Sequence, residues 1–156
     1  MVRTRCGRTK PHAAATAPKP TAASPADLRS LAASLGHSIY WIGTKPGHTY
    51  ELTRTAGGNV TIRYLPPGVE VGDPKPYLSI GTYPFKNAFA ATKALTNNDN
   101  IGQVKAPGGA VAVYDKGYPQ SIHLAYPGSD LQIEVYDPST AKARAIVTSG
   151  QLRTIG

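Results

Sequence analysis

Apolar residues in this chain fall into short blocks with two different rhythms, separated by glycine, proline and asparagine. Leu28, Leu31 and Leu35 recur at helical spacing behind Ser24-Pro25-Ala26-Asp27, and Gly36 follows them. A capping hydroxyl, a proline at the first helical position, an acid in the first turn and a glycine stop predict a short amphipathic helix. Blocks with strand character come next, at Ser38 to Gly43, Thr49 to Thr55, Asn59 to Leu65 and Tyr77 to Thr82. Ala56-Gly57-Gly58-Asn59 reads as a tight hairpin, because glycine takes positive φ without steric penalty. A helix is predicted over Lys86 to Thr96, with Phe85, Ala88, Phe89, Thr92 and Leu95 as its inner stripe and asparagines at 97, 98 and 100 to stop it.

The order then recurs. Strands are predicted near Ile101 to Lys105, Ala110 to Asp115, Ser121 to Ala125 and Leu131 to Tyr136, followed by a helix over Ser139 to Ser149 with Pro138 before it and Gly150 after it. Pro46, Gly47, Gly57, Ile62, Pro67 and Gly68 align with Pro107, Gly108, Gly117, Ile122, Pro127 and Gly128. After a longer loop in the first copy, Leu78, Ile80, Tyr83, Ala88 and Ala90 align with Leu131, Ile133, Tyr136, Ala141 and Ala143. Turn glycines and strand centres are the positions a shared fold retains, so the pattern predicts an internal duplication of about 25–97 and 98–150. The expected fold is α+β, with internally duplicated helix-plus-four-strand units forming an antiparallel sheet of about eight strands with helices on one face.

Residues 1–24 carry Ala, Pro and Thr where large hydrophobes would be needed, and Pro11, Pro18 and Pro20 oppose regular structure. They read as a disordered basic tail ahead of a single domain over 25–156. Of the net charge of +8, five charges come from Arg3, Arg5, Arg8, Lys10 and Lys19, so the rest of the chain carries only about +3. Cys6 is the one cysteine, which excludes an internal disulfide and a Cys-based metal site. As a lipid-attachment cysteine it lacks the small and apolar residues that should precede it, since Arg3, Thr4 and Arg5 stand there. No apolar run approaches the roughly 20 residues that span a bilayer, so no transmembrane segment is expected. Basic Met1 to Lys10 leads into the run His12 to Ser24 with no apolar segment, so an export signal is not complete as written. The expected location is the cell envelope or outside if the chain as given lacks its signal, and the cytoplasm otherwise.

Chemistry is sparse. GxSxG, Walker, GxGxxG, HExxH and EF-hand patterns do not occur, and neither cofactor nor metal is expected. His37 and His48 could meet at one end of the sheet with Glu51 or Asp73, which leaves room for a small enzyme with an unfamiliar site. Glu51, Asp115, Asp130, Glu134 and Asp137 could supply an acid and a base if two converged. The nine tyrosines are the most suggestive feature. Tyrosine is a good strand former that bridges core and solvent, and it also presents a rigid amphipathic surface to sugars, peptides and bases. Tyr40, Trp41, Tyr64, Tyr77, Tyr83 and Tyr136 are the candidate ligand-binding residues.

Leu35-Gly36-His37-Ser38-Ile39-Tyr40-Trp41, Tyr50-Glu51-Leu52-Thr53-Arg54, Arg63-Tyr64-Leu65-Pro66-Pro67-Gly68 and Gly81-Thr82-Tyr83-Pro84 resemble a group of uncharacterised proteins of high-GC actinobacteria. The resemblance covers nearly all of residues 25–150. It implies a bacterial source and a cell-envelope location, and brings no activity or site residues with it. The leading expectation is a non-catalytic binding or structural module of the cell envelope, with a cell-surface protein or a glycan as partner. A nucleic-acid-associated protein using the basic tail is the alternative, with the small enzyme third.

Overall fold

The computed structural model describes residues 18–155. Ser24 and Asp27 form a reciprocal capping box at the start of α1 (Pro25–Leu35), and Gly36 closes the helix in the left-handed region at φ 71°. β2 (Tyr40–Trp41) is followed by β3 (Thr49–Arg54) and β4 (Val60–Leu65). The β3–β4 hairpin turns on Gly58 alone, at φ 85°, while Gly57 stays outside the positive-φ region. β5 (Ser79–Pro84) leads to α2 (Ala88–Ala94), which tightens into a 3₁₀ turn at Leu95–Asn97. Then come β6 (Ile101–Lys105), β7 (Val111–Asp115), β8 (Ser121–Ala125), β9 (Leu131–Tyr136) and α3 (Thr140–Ser149).

The main sheet is antiparallel and has eight strands, in the order β1-β3-β4-β5-β9-β8-β7-β6. Its eighth member is not the segment expected. β2 leaves the sheet and pairs with a short C-terminal strand, β10 (Arg153–Thr154), while β1 (Thr21–Ala23) takes the edge beside β3. The backbone N–H of Tyr40 donates to Thr82 Oγ1 at 2.9 Å, which ties β2 over the sheet instead of beside it. Most of the expected tail, residues 1–17, lies outside the described residues, but Thr21–Ala23 belongs to the folded domain. Among the described residues the sheet ends in β1, three residues long and flanked by Pro20 and Pro25, and in β6.

Strand alternation divides the sheet into two faces. Val60, Ile62, Tyr64, Ile80, Thr82, Ile122, Leu124, Ile133 and Val135 point to one side and are all buried. Leu28 and Leu31 of α1, with Ala143, Ile146 and Val147 of α3, complete this core. α2 sits on the other side. Its Thr92 bonds Gln132, which alternates with core-facing Ile133, and its Ala88 is buried outside the main core cluster. The expected arrangement with every helix on one face is therefore corrected. Asn87, the only described non-glycine residue at positive φ (58°), stands where the chain turns toward that opposite face. The inner stripe expected of α2 is also corrected. Ala88 and Thr92 are buried, whereas Phe85 and Leu95 are exposed.

The loop after β4 is anchored to the second face. Arg63 donates two bonds to the Glu51 carboxylate across the β3–β4 pair, at 2.8 and 2.9 Å, and two more to the carbonyls of Asp73 and Lys75. Glu51 Oε2 also accepts from Gly72 N–H at 2.7 Å. Burial pushes the Glu51 carboxyl up, but the Arg63 and Gly72 hydrogen bonds outweigh it and hold the group below its ordinary 4.5. A carboxyl with a depressed folded value stabilises the fold above the unfolded value and loses that contribution as pH falls through the folded one. Arg63→Ala is expected to lower stability by roughly 2–3 kcal/mol, less than a fully buried pair because Arg63 keeps some exposure. Urea unfolding measured over acidic pH should show stability falling below about pH 4.5 in the wild type. That part of the acid dependence should be absent in Glu51→Gln.

Candidate functional site

The second face of the sheet is polar where α2 and the anchored loop leave it open. Its centre is the strand pair β5–β9, extended by β8. Gly81 lies opposite Glu134, and His123 lies opposite Glu134 on the other side. Tyr83, two residues along β5, folds back over Gly81, where a Cβ would come within 2.2 Å of its hydroxyl oxygen. Glycine is required there so that the ring can lie flat on the strand. From that position the Tyr83 hydroxyl donates to Glu134 Oε1 at 2.8 Å.

Glu134 is the hub of the cluster. Its second oxygen accepts from the Ser121 hydroxyl, and His123 Nε2 stands 3.5 Å from the same oxygen. The Glu134 and His123 side chains remain 28% and 38% exposed, so a ligand can reach the group. Tyr136 flanks it, opposite both Ser79 and Ser121, and stacks on the exposed Tyr118 with centroids 6.3 Å apart and planes 13° from parallel. The chemistry offered is a rigid set of donors and acceptors beside an aromatic plate. The Ser121 hydroxyl is spent on the carboxylate and makes no bond to His123, so the group is not arranged as a nucleophile and its base.

The six candidate residues separate by face. Tyr83 and Tyr136 belong to the polar cluster, and Tyr77 lies near the anchored loop with the Arg63 guanidinium 5.5 Å from its ring centre. Trp41 and Tyr64 are buried in the core on the other side, where they serve packing. Tyr40 is half-buried and stacks on Tyr126 at 5.6 Å. The histidine and carboxylate groupings do not form. His37 bonds the carbonyls of Ser38 and Gly58, His48 the carbonyl of Pro46, and Glu51 pairs with Arg63. Asp115, Asp130 and Asp137 accept backbone N–H groups from Gly117, Asn87 and Ser139. No group of three metal-binding side chains occurs among the described residues, and no described helix is long and apolar enough to cross a membrane.

Ser121 and His123 were not among the candidates. Their signal is the alternation Ser121-Ile122-His123-Leu124 against Gln132-Ile133-Glu134-Val135-Tyr136, polar residues in step on two strands. Only the pairing of His123 with Glu134 makes that alternation one group. No family model, curated protein or solved structure matches the chain.

Burial first, and then the Glu134 charge, push the Tyr83 hydroxyl from its ordinary 10.0 up to about 12. Burial does the same to Tyr64 in the core. A raised folded value gives stability that is complete below pH 10 and lost as pH rises from 10 toward 12. Tyr83→Phe should cost about 1 kcal/mol at neutral pH through the lost hydrogen bond. It should also make the alkaline loss of stability shallower, as read by denaturant unfolding across that range.

Proposed function

We propose that the protein is a non-catalytic binding module whose polar sheet face takes a polyhydroxylated ligand, a glycan of the cell envelope. The observation that carries this reading is the Glu134 hub beside the Tyr118–Tyr136 stack on an open, strand-built face. Sugars offer hydroxyls to fixed acceptors and donors, and they present C–H faces that pack on tyrosine rings. Strands hold such groups in place with little conformational entropy left to lose on binding. The Ala/Pro/Thr composition ahead of Thr21 suits a tether, and the resemblance to actinobacterial proteins favours an envelope location.

The same reading includes the internal duplication. An offset of 53 residues, the separation of Leu78 from Leu131, also relates Ile80 to Ile133 and Tyr83 to Tyr136. β5 and β9 pair antiparallel about Gly81 and Glu134, so each residue and its counterpart share a face. Ile80 and Ile133 are both in the core, and Tyr83 and Tyr136 are both on the polar side. The helices do not follow the offset. Ala88 is buried and Ala141 exposed, while Ala90 is exposed and Ala143 buried, as expected if the second helix changed faces after duplication.

Binding to an array of bacterial cell-wall polysaccharides tests the function. Retention on at least one glycan is expected, with Tyr136→Ala and Glu134→Ala each weakening it about tenfold, a loss of about 1.4 kcal/mol. Failure to bind any glycan, together with purely cytosolic fractionation, would overturn the proposal. Salt-sensitive binding to DNA or RNA would favour the nucleic-acid alternative instead.

A further inference from the structure

A cleft on the core-face side of the sheet involves none of the residues discussed above as the binding face. It has a volume of about 320 Å³ and lies between the segment after β2 and α3. A smaller pocket of about 200 Å³ adjoins it and shares Lys45, Leu78, Asp137 and Lys142. Together they reach the range of roughly 300–1,000 Å³ in which small-molecule sites fall.

Two core tyrosines pre-form one wall. The Tyr64 hydroxyl accepts from Ile42 N–H at 3.1 Å and donates to the Gly43 carbonyl at 2.9 Å. The Tyr50 hydroxyl accepts from Lys45 N–H at 2.8 Å. Ala145 and Ile146 of α3 stand opposite, and Leu78 contributes a further apolar surface. Asp137 lines both parts although it is only 9% exposed, and one of its oxygens accepts from Ser139 N–H at 2.8 Å. Lys45 and Lys142 are exposed at the same cleft, yet neither comes within 4.0 Å of the carboxylate.

Asp137, held by one backbone N–H and facing the cleft, therefore presents a carboxylate there, and the two lysines at the same cleft leave it without an ion-pair partner. The geometry points to a zwitterionic ligand: we infer that this cleft binds a free α-amino acid with a branched aliphatic side chain. The ligand ammonium would pair with Asp137 in the interior and the ligand carboxylate with Lys45 and Lys142 at the rim. The side chain would pack on Ile42, Leu78 and Ile146.

The test is an NMR titration of the full chain with three probes. These are leucine, 4-methylpentanoate, which lacks the ammonium, and 3-methylbutylamine, which lacks the carboxylate. Leucine is expected to shift the amides of Ile42, Leu78, Ala145 and Ile146, and to bind at least about tenfold more tightly than either analogue, the margin expected from one ion pair in a partly buried site. Asp137→Asn and the double variant Lys45→Ala/Lys142→Ala should each weaken leucine binding by a similar factor. The lysine variant alters only exposed side chains, so its result does not depend on how the fold tolerates a change at Asp137. Equal binding of leucine and either analogue would overturn the inference, as would the absence of any shift at millimolar leucine or unchanged leucine affinity in the lysine variant.

Discussion

Two half-sheets are joined through one strand pair, β5 with β9, over six residue pairs from Ser79 with Tyr136 to Pro84 with Leu131. Everything else depends on that junction. Each side of the junction contributes four strands, and the buried residues of both sides belong to one core cluster. Pairing the last strand of one half with the last strand of the other places Ile80 beside Val135 and Thr82 beside Ile133. These four side chains are fully buried, at the middle of the one interior that spans both sides of the sheet.

The junction also creates the polar cluster. Because neighbouring residues on a strand point to opposite faces, fixing Ile80, Ile133 and Val135 inward forces Gly81, Glu134 and Tyr136 outward. Glu134 then acquires Tyr83 from β5 and Ser121 and His123 from β8 without help from any loop. A shift of one residue in the register would exchange the two sets, sending a carboxylate into the core and isoleucines into water. Stability and the candidate binding face thus rest on the same alignment.

Much of the architecture was legible in the chain. The capping signals of α1 and α3, the glycine-marked hairpin and the alternation of β3, β4, β8 and β9 are local features, and local features survive into the fold. What was not legible depended on partners distant in sequence. Tyr40 and Trp41 have strand composition, but the element they join is β10 at Arg153–Thr154, and Thr82, 42 residues from Tyr40, ties them over the sheet. Thr21–Ala23 has almost no side-chain signal for a strand, and it is one because β3 offers an open edge. The helical period of α2 was visible, but a period does not say which face of a sheet the helix will meet. The tyrosines show the same limit. Tyr64 and Tyr83 both sit on strands with polar neighbours, and only the parity of each strand sends one into the core and the other onto the polar face.

The unequal rims of the sheet limit how this molecule could polymerise. Along β1 a neighbour would find three residues bounded by prolines, too short and too interrupted to continue a ladder. Along β6 it would find five uninterrupted residues. A body with one receptive side and one blunt side can join a single counterpart and then has nothing left to offer, so assembly by this route closes at a pair and cannot grow into a fibre.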